Sequence, residues 1–150
     1  MAIAIGLHLL ATIVWVGGMF FAHMVLRPSV AEMEAPQRLA LFSGVLQRFF
    51  SWVWLAVVTL LLSGYWMVFV QYNGFAGLPV HLHLMHGIGL LMCMFYLHLW
   101  FAPYRRFKLA IVAQDFPEAG RRLGQIRLIV LINLILGLAN SLIGASGIYI

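Results

Sequence analysis

Charge is what this chain has least of. Asp, Glu, Lys and Arg together make up 9% of its 150 residues, against about 25% in an ordinary soluble domain. Too few ionic groups are available to build a water-facing surface, so a soluble fold is excluded. The four acidic residues, Glu32, Glu34, Asp115 and Glu118, all lie outside the long apolar runs, which removes a carboxylate relay within a membrane. The single cysteine, Cys93, excludes an intrachain disulfide. No glycine-rich phosphate loop occurs, and no Ser, His and Asp set can be placed as a triad. The apolar stretches show no alternating polar pattern, which argues against a closed barrel of strands.

What is present is apolar sequence: 64% of residues are hydrophobic and the mean hydropathy is +1.01. No charge occurs before Arg27, between Arg48 and Arg105, or after Arg127. A helical span takes about 20 apolar residues, so these gaps hold one, two and one spans. The expected fold is all-α and integral to the membrane. It is a four-transmembrane-helix bundle with spans near 3–26, 49–70, 81–102 and 123–144, forming one domain over 1–150. The first apolar run is too long for a cleaved leader and lacks a basic start, so it reads as the first span itself. Between spans, Pro36 is placed to start a short surface helix, and the Asp115–Pro117 region breaks an amphipathic piece. Trp52, Trp54, Trp66 and Tyr72 read as interface anchors.

All nine Lys and Arg residues fall in or beside the two segments joining spans one to two and three to four. The loop Gln71–Val80 carries none. By the positive-inside rule this predicts a multi-pass protein of the bacterial inner membrane with both termini outside. The net charge of +5 matches anionic lipid on the inner leaflet and asks for no nucleic-acid partner.

The chain also partly repeats. Sliding it by 75 residues aligns Leu7, His8, Leu9, Ile13, Met19, Phe20, His23 and Pro28 with Leu82, His83, Leu84, Ile88, Met94, Phe95, His98 and Pro103. Spans one and three are thereby related as a parallel repeat about an axis along the membrane normal. His8 and His83 sit near the outer ends of these spans, and His23 and His98 near the inner ends. The 15-residue separation is about 22 Å of helix, within a ~30 Å hydrocarbon layer. Two levels of opposed imidazoles suit bis-histidine haem b, one or two per chain, with Gly17, Gly18, Gly87 and Gly89 admitting a planar ring. Fifteen residues also leave the two imidazoles about 60° apart around a helix, which tilt must correct.

Copper is the competing chemistry. Met19 with His23 and Met94 with His98 are four apart and so share a helix face. Thioether with imidazole suits Cu(I). Met85 and His86, beside His81 and His83, crowd the outer mouth as further copper ligands. The leading expectation is therefore a haem b-binding redox or electron-transfer protein using His8, His83, His23 and His98. The alternative is copper binding or transport through the same histidines with methionine. A third is a structural or assembly subunit. At 16.9 kDa the bundle is small for a lone transporter, which points to a homodimer, a redox partner or a larger membrane complex besides the lipid bilayer.

The stretches "LHLLATIVWVGGMFFAHMVLRP", "FFSWVWLAVVTLLLSGYW", "HLHLMHGIGLLMCMFYLHLWFAPYRR" and "IRLIVLINLILGL" together resemble the copper-resistance D (CopD) superfamily of small membrane proteins. The sharpest element is His8 followed by Trp15-Val16-Gly17-Gly18. The resemblance implies copper uptake or tolerance. The chain is also distantly similar to HemJ-type protoporphyrinogen oxidases, which are associated with haem b. Those carry a His-x-Lys setting at the start of span three, where this chain reads "HLHLMH" and has no lysine. That resemblance therefore implies a His8-linked site more than the oxidase activity.

The topology is open to a direct check. In a Cys93→Ala background, a cysteine placed at Asn73 should react with a membrane-impermeant maleimide on intact cells, and one placed at Gln114 should not. The reverse pattern would invert the orientation.

Overall fold

The computed structural model describes residues 1–149. Among them there is no strand, and four helices are long and apolar enough to cross a membrane: α1 (Ala2–Ser29), α2 (Ala35–Tyr72), α3 (Val80–Val112) and α4 (Phe116–Ser146). The protein is an all-helical, multi-pass membrane protein. Each helix contains an expected span but runs past it at the basic end. The clearest difference is α2, a single 38-residue helix. The surface helix expected to start at Pro36 does start there, yet it continues into the span without a joint. Leu39, Phe42 and Leu46 are buried on its way, so packing against the bundle sustains the helix where the composition turns polar.

The turns follow local chemistry. Asn73 ends α2 in the left-handed region at φ 53°, and the Gly74 N–H reaches back to Val68 O at 3.1 Å. At the other end of the molecule Asp115 caps α4 by accepting from the Glu118 N–H at 3.0 Å, with Pro117 in the first turn. Both prolines of the aligned pair mark widened, π-helical turns. Phe21–Leu26 leads into Pro28, and Trp100–Tyr104 contains Pro103. Proline lacks an N–H and crowds the carbonyl four residues back, and an extra residue in the turn relieves that clash.

Helix neighbours decide the rest. α1 lies along α2, and α3 lies along α4; α4 also touches α2 and the middle of α1. α1 and α3 therefore take opposite corners and meet across the centre, where the Trp15 ring stands edge-on to Tyr96 at 6.0 Å. An aromatic cluster fills that centre. Phe50, Trp54, Tyr96, Trp100 and Tyr104 pack at centroid distances of 4.8–6.5 Å, mostly edge to face, each pair adding about 0.5–1.5 kcal/mol beyond its buried area. The Tyr96 hydroxyl donates to Phe50 O at 2.9 Å, so no polar tip is stranded. Trp52 and Trp66 face outward as expected of anchors, but Trp54 belongs to this core.

α4 brings small residues to the junction. A Cβ at Gly137 would lie 2.8 Å from Val16 Cγ2 and 3.1 Å from Met92 Cε, so glycine is what lets three helices close there. Asn133, one turn away and 2% exposed, donates to Met92 O at 3.2 Å. Gly137→Val should cost about 1–3 kcal/mol by overpacking, read as a lower unfolding temperature in detergent. Gly124→Ala, where the added methyl meets nothing within 4 Å, should leave that temperature unchanged or raise it.

Candidate metal centre

The four paired histidines go to four different surroundings. His8 is half-buried against α2. Its Nδ1 lies 2.9 Å from Ser63 Oγ, and Ser63 Oγ itself donates to Thr59 O at 2.6 Å. A hydroxyl has one proton, so Ser63 accepts from His8 Nδ1–H, and His8 Nε2 is left with its lone pair. That is the arrangement of a metal-ligating histidine held by an outer partner. Gly64 is part of the same fit, since a Cβ there would touch His8 Cε1 at 3.4 Å. His83 is exposed on the first turn of α3, with Nδ1 3.3 Å from Pro79 O. His98 is exposed on the outside of the bundle. His23 is half-buried at the basic end beside Arg27 and Arg127.

The described residues thus form no bis-histidine site. The reason is direction: His8 turns to Ser63 of α2, whereas His83 and His98 on α3 face outward. The expected ring slot is also missing. Phe49 occupies the place in front of Gly18, whereas a Cβ at Gly17, Gly87 or Gly89 would meet nothing within 4 Å, so no facing wall closes a slot there. The inner Met and His set separates in the same way. Met19 is buried in the core at 2% exposure, whereas Met94 is 60% exposed on the outside. No group of three or more His, Cys, Asp or Glu residues converges on a metal position among the described residues.

A different grouping appears at the uncharged end. His8 meets α2 at Ser63 and Gly64, and His86 meets it one residue on, its ring 5.4 Å from Tyr65 and 5.2 Å from Phe75. Successive residues on a helix differ by only ~1.5 Å in height and about 100° in direction. The two imidazoles therefore lie at one depth on adjacent sides of α2. Repeat position pairs His8 with His83; by depth its counterpart is His86. Met85 reaches from the same turn to α4, where a Cβ at Gly144 would lie 2.8 Å from its Cε and 3.2 Å from its Sδ. His81 packs over Gly147 one turn further out.

Below this layer the pattern steps inward. Met85 and Met92 are seven apart on α3, and the glycines they cover, Gly144 and Gly137, are seven apart on the antiparallel α4. Two thioethers thus line one seam at successive levels. Asn140 and Asn133 lie on the same stripe of α4, and the Oδ1 atom of each is buried without a hydrogen-bond partner among the described residues. Buried amide oxygens left free are uncommon, and these two add accepting capacity beside the thioethers. Sequence reasoning names Met85 and His86 but discounts Met92, because the Met-Cys-Met run at 92–94 points three ways around a helix. The seven-residue match of Met85 and Met92 to Gly144 and Gly137 was the available signal.

Fold and residues together define a polytopic helical membrane protein, with His8, Met85 and His86 toward the uncharged end of the bundle and Met92 one level further in. The chain belongs to the copper resistance protein D family, whose model matches residues 43–146. The match takes in α4, the spanning parts of α2 and α3, and so Met85, His86 and Met92; α1 with His8 and His23 lies outside it. Comparison with curated proteins and with solved structures finds no significant match.

Ser63→Ala should remove the side-chain partner of His8 Nδ1. The loss is about 1–2 kcal/mol of stability. In ¹⁵N spectra the His8 ring should change from a single Nδ1–H tautomer to a mixture, with the other histidines unmoved.

Proposed function

We propose that this protein binds Cu(I) in the half of the bundle that carries Met85, His86 and His8, and that copper handling in the membrane is its role. The observation that carries the reading is the thioether seam: Met85 and Met92 set at two levels over Gly144 and Gly137. Family membership supports it, since the matched region contains both methionines. The donor set fits the ion. Thioether sulfur and neutral imidazole are soft to intermediate ligands, suited to Cu(I) and poorly suited to hard cations. The absence of carboxylates from the spans agrees with a monovalent cargo that needs little counter-charge.

In this reading His81 and His86 form the entrance at the uncharged end, which the basic-residue distribution assigns to the outside of the cell. His8, its Nδ1–H held by Ser63, presents a fixed Nε2. Met85 takes the ion at the first level and Met92 at the second. Met19, buried further along α1, continues the thioether series toward the basic end. Haem b needs two imidazoles on opposite faces of one iron, and nothing in the helix arrangement favours it.

The test is Cu(I) affinity of the purified protein by competition with bicinchoninate. Met85→Leu with Met92→Leu conserves volume and should cost under about 1.5 kcal/mol of stability per site. It should weaken Cu(I) by at least the roughly ten- to hundredfold that changes in the outer shell of metal sites produce. Met94→Leu, on the outside, should change nothing. Equal affinity in the double variant would overturn the reading. So would split α and β absorption bands in protein from haem-replete cells, because those bands belong to bis-histidine haem.

A further inference from the structure

A second site is built at the opposite, basic end, and it owes nothing to copper. Where α1, α2 and α4 converge, His23, Arg27 and Arg127 line a hollow of ≈ 30 Å³ together with Phe42 and Ile126. The Arg127 guanidinium lies over the Phe42 ring at 4.9 Å, and its buried Nε meets no acceptor among the described residues. Arg27 and Arg38 stand within electrostatic reach of it. Arg38, at the start of α2, already donates to Ala31 O at 3.0 Å and Met33 O at 3.2 Å, which fixes the short turn between α1 and α2 beside the hollow.

No carboxylate answers these charges. The nearest by sequence, Glu32 and Glu34, form no ion pair, and both ion pairs among the described residues join Glu118 to Arg121 and Arg122. Two guanidiniums from two helices, Arg27 and Arg127, are thus gathered at the hollow without a counter-ion. Like charges repel, and a buried N–H without an acceptor carries a full desolvation cost. Such a cluster persists where an anion completes it. A phosphate diester matches best: its oxygens accept from planar guanidinium forks, and several donors can share it. The aromatic face of Phe42 holds the Arg127 plane in place for that contact.

We infer that this hollow binds the phosphodiester headgroup of one anionic phospholipid. The position favours a lipid over a free anion. The hollow lies where the apolar span passes into the basic segment, and Ala22, Leu46 and Val130 extend it with an apolar wall along which an acyl chain can lie. Basic pockets between spans on the cytoplasmic side are a recurring form of lipid recognition.

Native mass spectrometry of protein released from bilayers of equal phosphatidylglycerol and phosphatidylcholine tests this. The wild-type chain should retain one phosphatidylglycerol in preference to phosphatidylcholine. Arg127→Gln and Arg27→Gln should each lower that preference about fivefold, the worth of one basic residue near a membrane surface. Arg106→Gln, on the same end but outside the hollow, should leave it unchanged. Arg27 is exposed, so its variant carries the test if Arg127→Gln fails to fold. An undiminished preference in both variants would overturn the site, and so would an equal fall in Arg106→Gln. Displacement of the lipid by millimolar inorganic phosphate would also overturn it, in favour of a soluble anion.

Discussion

Helices in lipid gain little by hiding apolar side chains from one another, because the lipid is as apolar as they are. Close contact has to hold them, and here it is made where α4 carries no side chain. Gly137 admits Val16 from α1 and Met92 from α3 to the same point. Asn133 then ties α4 to the α3 backbone through Met92 O. The corner positions of α1 and α3, the edge-on meeting of Trp15 and Tyr96, and the depth at which Met85 and Met92 lie all follow from this one approach. Leu or Phe at Gly137 would push two helices away at once.

The same contact orders the chemistry. Because α1 packs on α2 and α3 on α4, histidines at matched heights on α1 and α3 are not matched in direction. Met85 and Met92 instead share the seam between α3 and α4, while His8 and His86 lie on the flank of α2. Polar groups at the two ends then do different things. At the uncharged end single imidazoles are each held by their neighbours, Ser63 for His8 and Tyr65 with Phe75 for His86. At the basic end guanidiniums cluster without carboxylate partners.

How far the sequence could be read depended on what kind of quantity was asked of it. Number and place of spans were legible because charge is excluded from hydrocarbon, so the gaps between Arg27, Arg48, Arg105 and Arg127 outline the helices directly. Depth was legible too, since rise per residue is constant, and His8 and His86 do lie toward one end with His23 and His98 toward the other. Direction was not. It depends on which helix is neighbour to which, and no single chain states that. The haem pairs failed on direction, and at the outer level on depth as well, since His86 rather than His83 stands level with His8. Continuity of α2 was also hidden, because residues 35–48 are polar enough to suggest a surface segment while Leu39, Phe42 and Leu46 quietly supply a buried face. The aromatic core was hidden for the same reason: Tyr96, Trp100 and Tyr104 recur every four residues on one side of α3, but that this side meets Phe50 and Trp54, the latter read as an interface anchor, depends on which helix is neighbour.

The unbroken length of α2 makes it a lever. Its 38 residues measure about 57 Å at 1.5 Å per residue, nearly twice the ~30 Å of hydrocarbon. A rod without a joint converts rotation at one end into travel at the other. If the bilayer thins and α2 tilts by roughly 5°, its far tip moves about 5 Å. That tip carries Arg38 and the turn that Arg38 holds. A change of tilt would therefore displace most the polar end of the helix, where Arg38 ties it to the turn after α1.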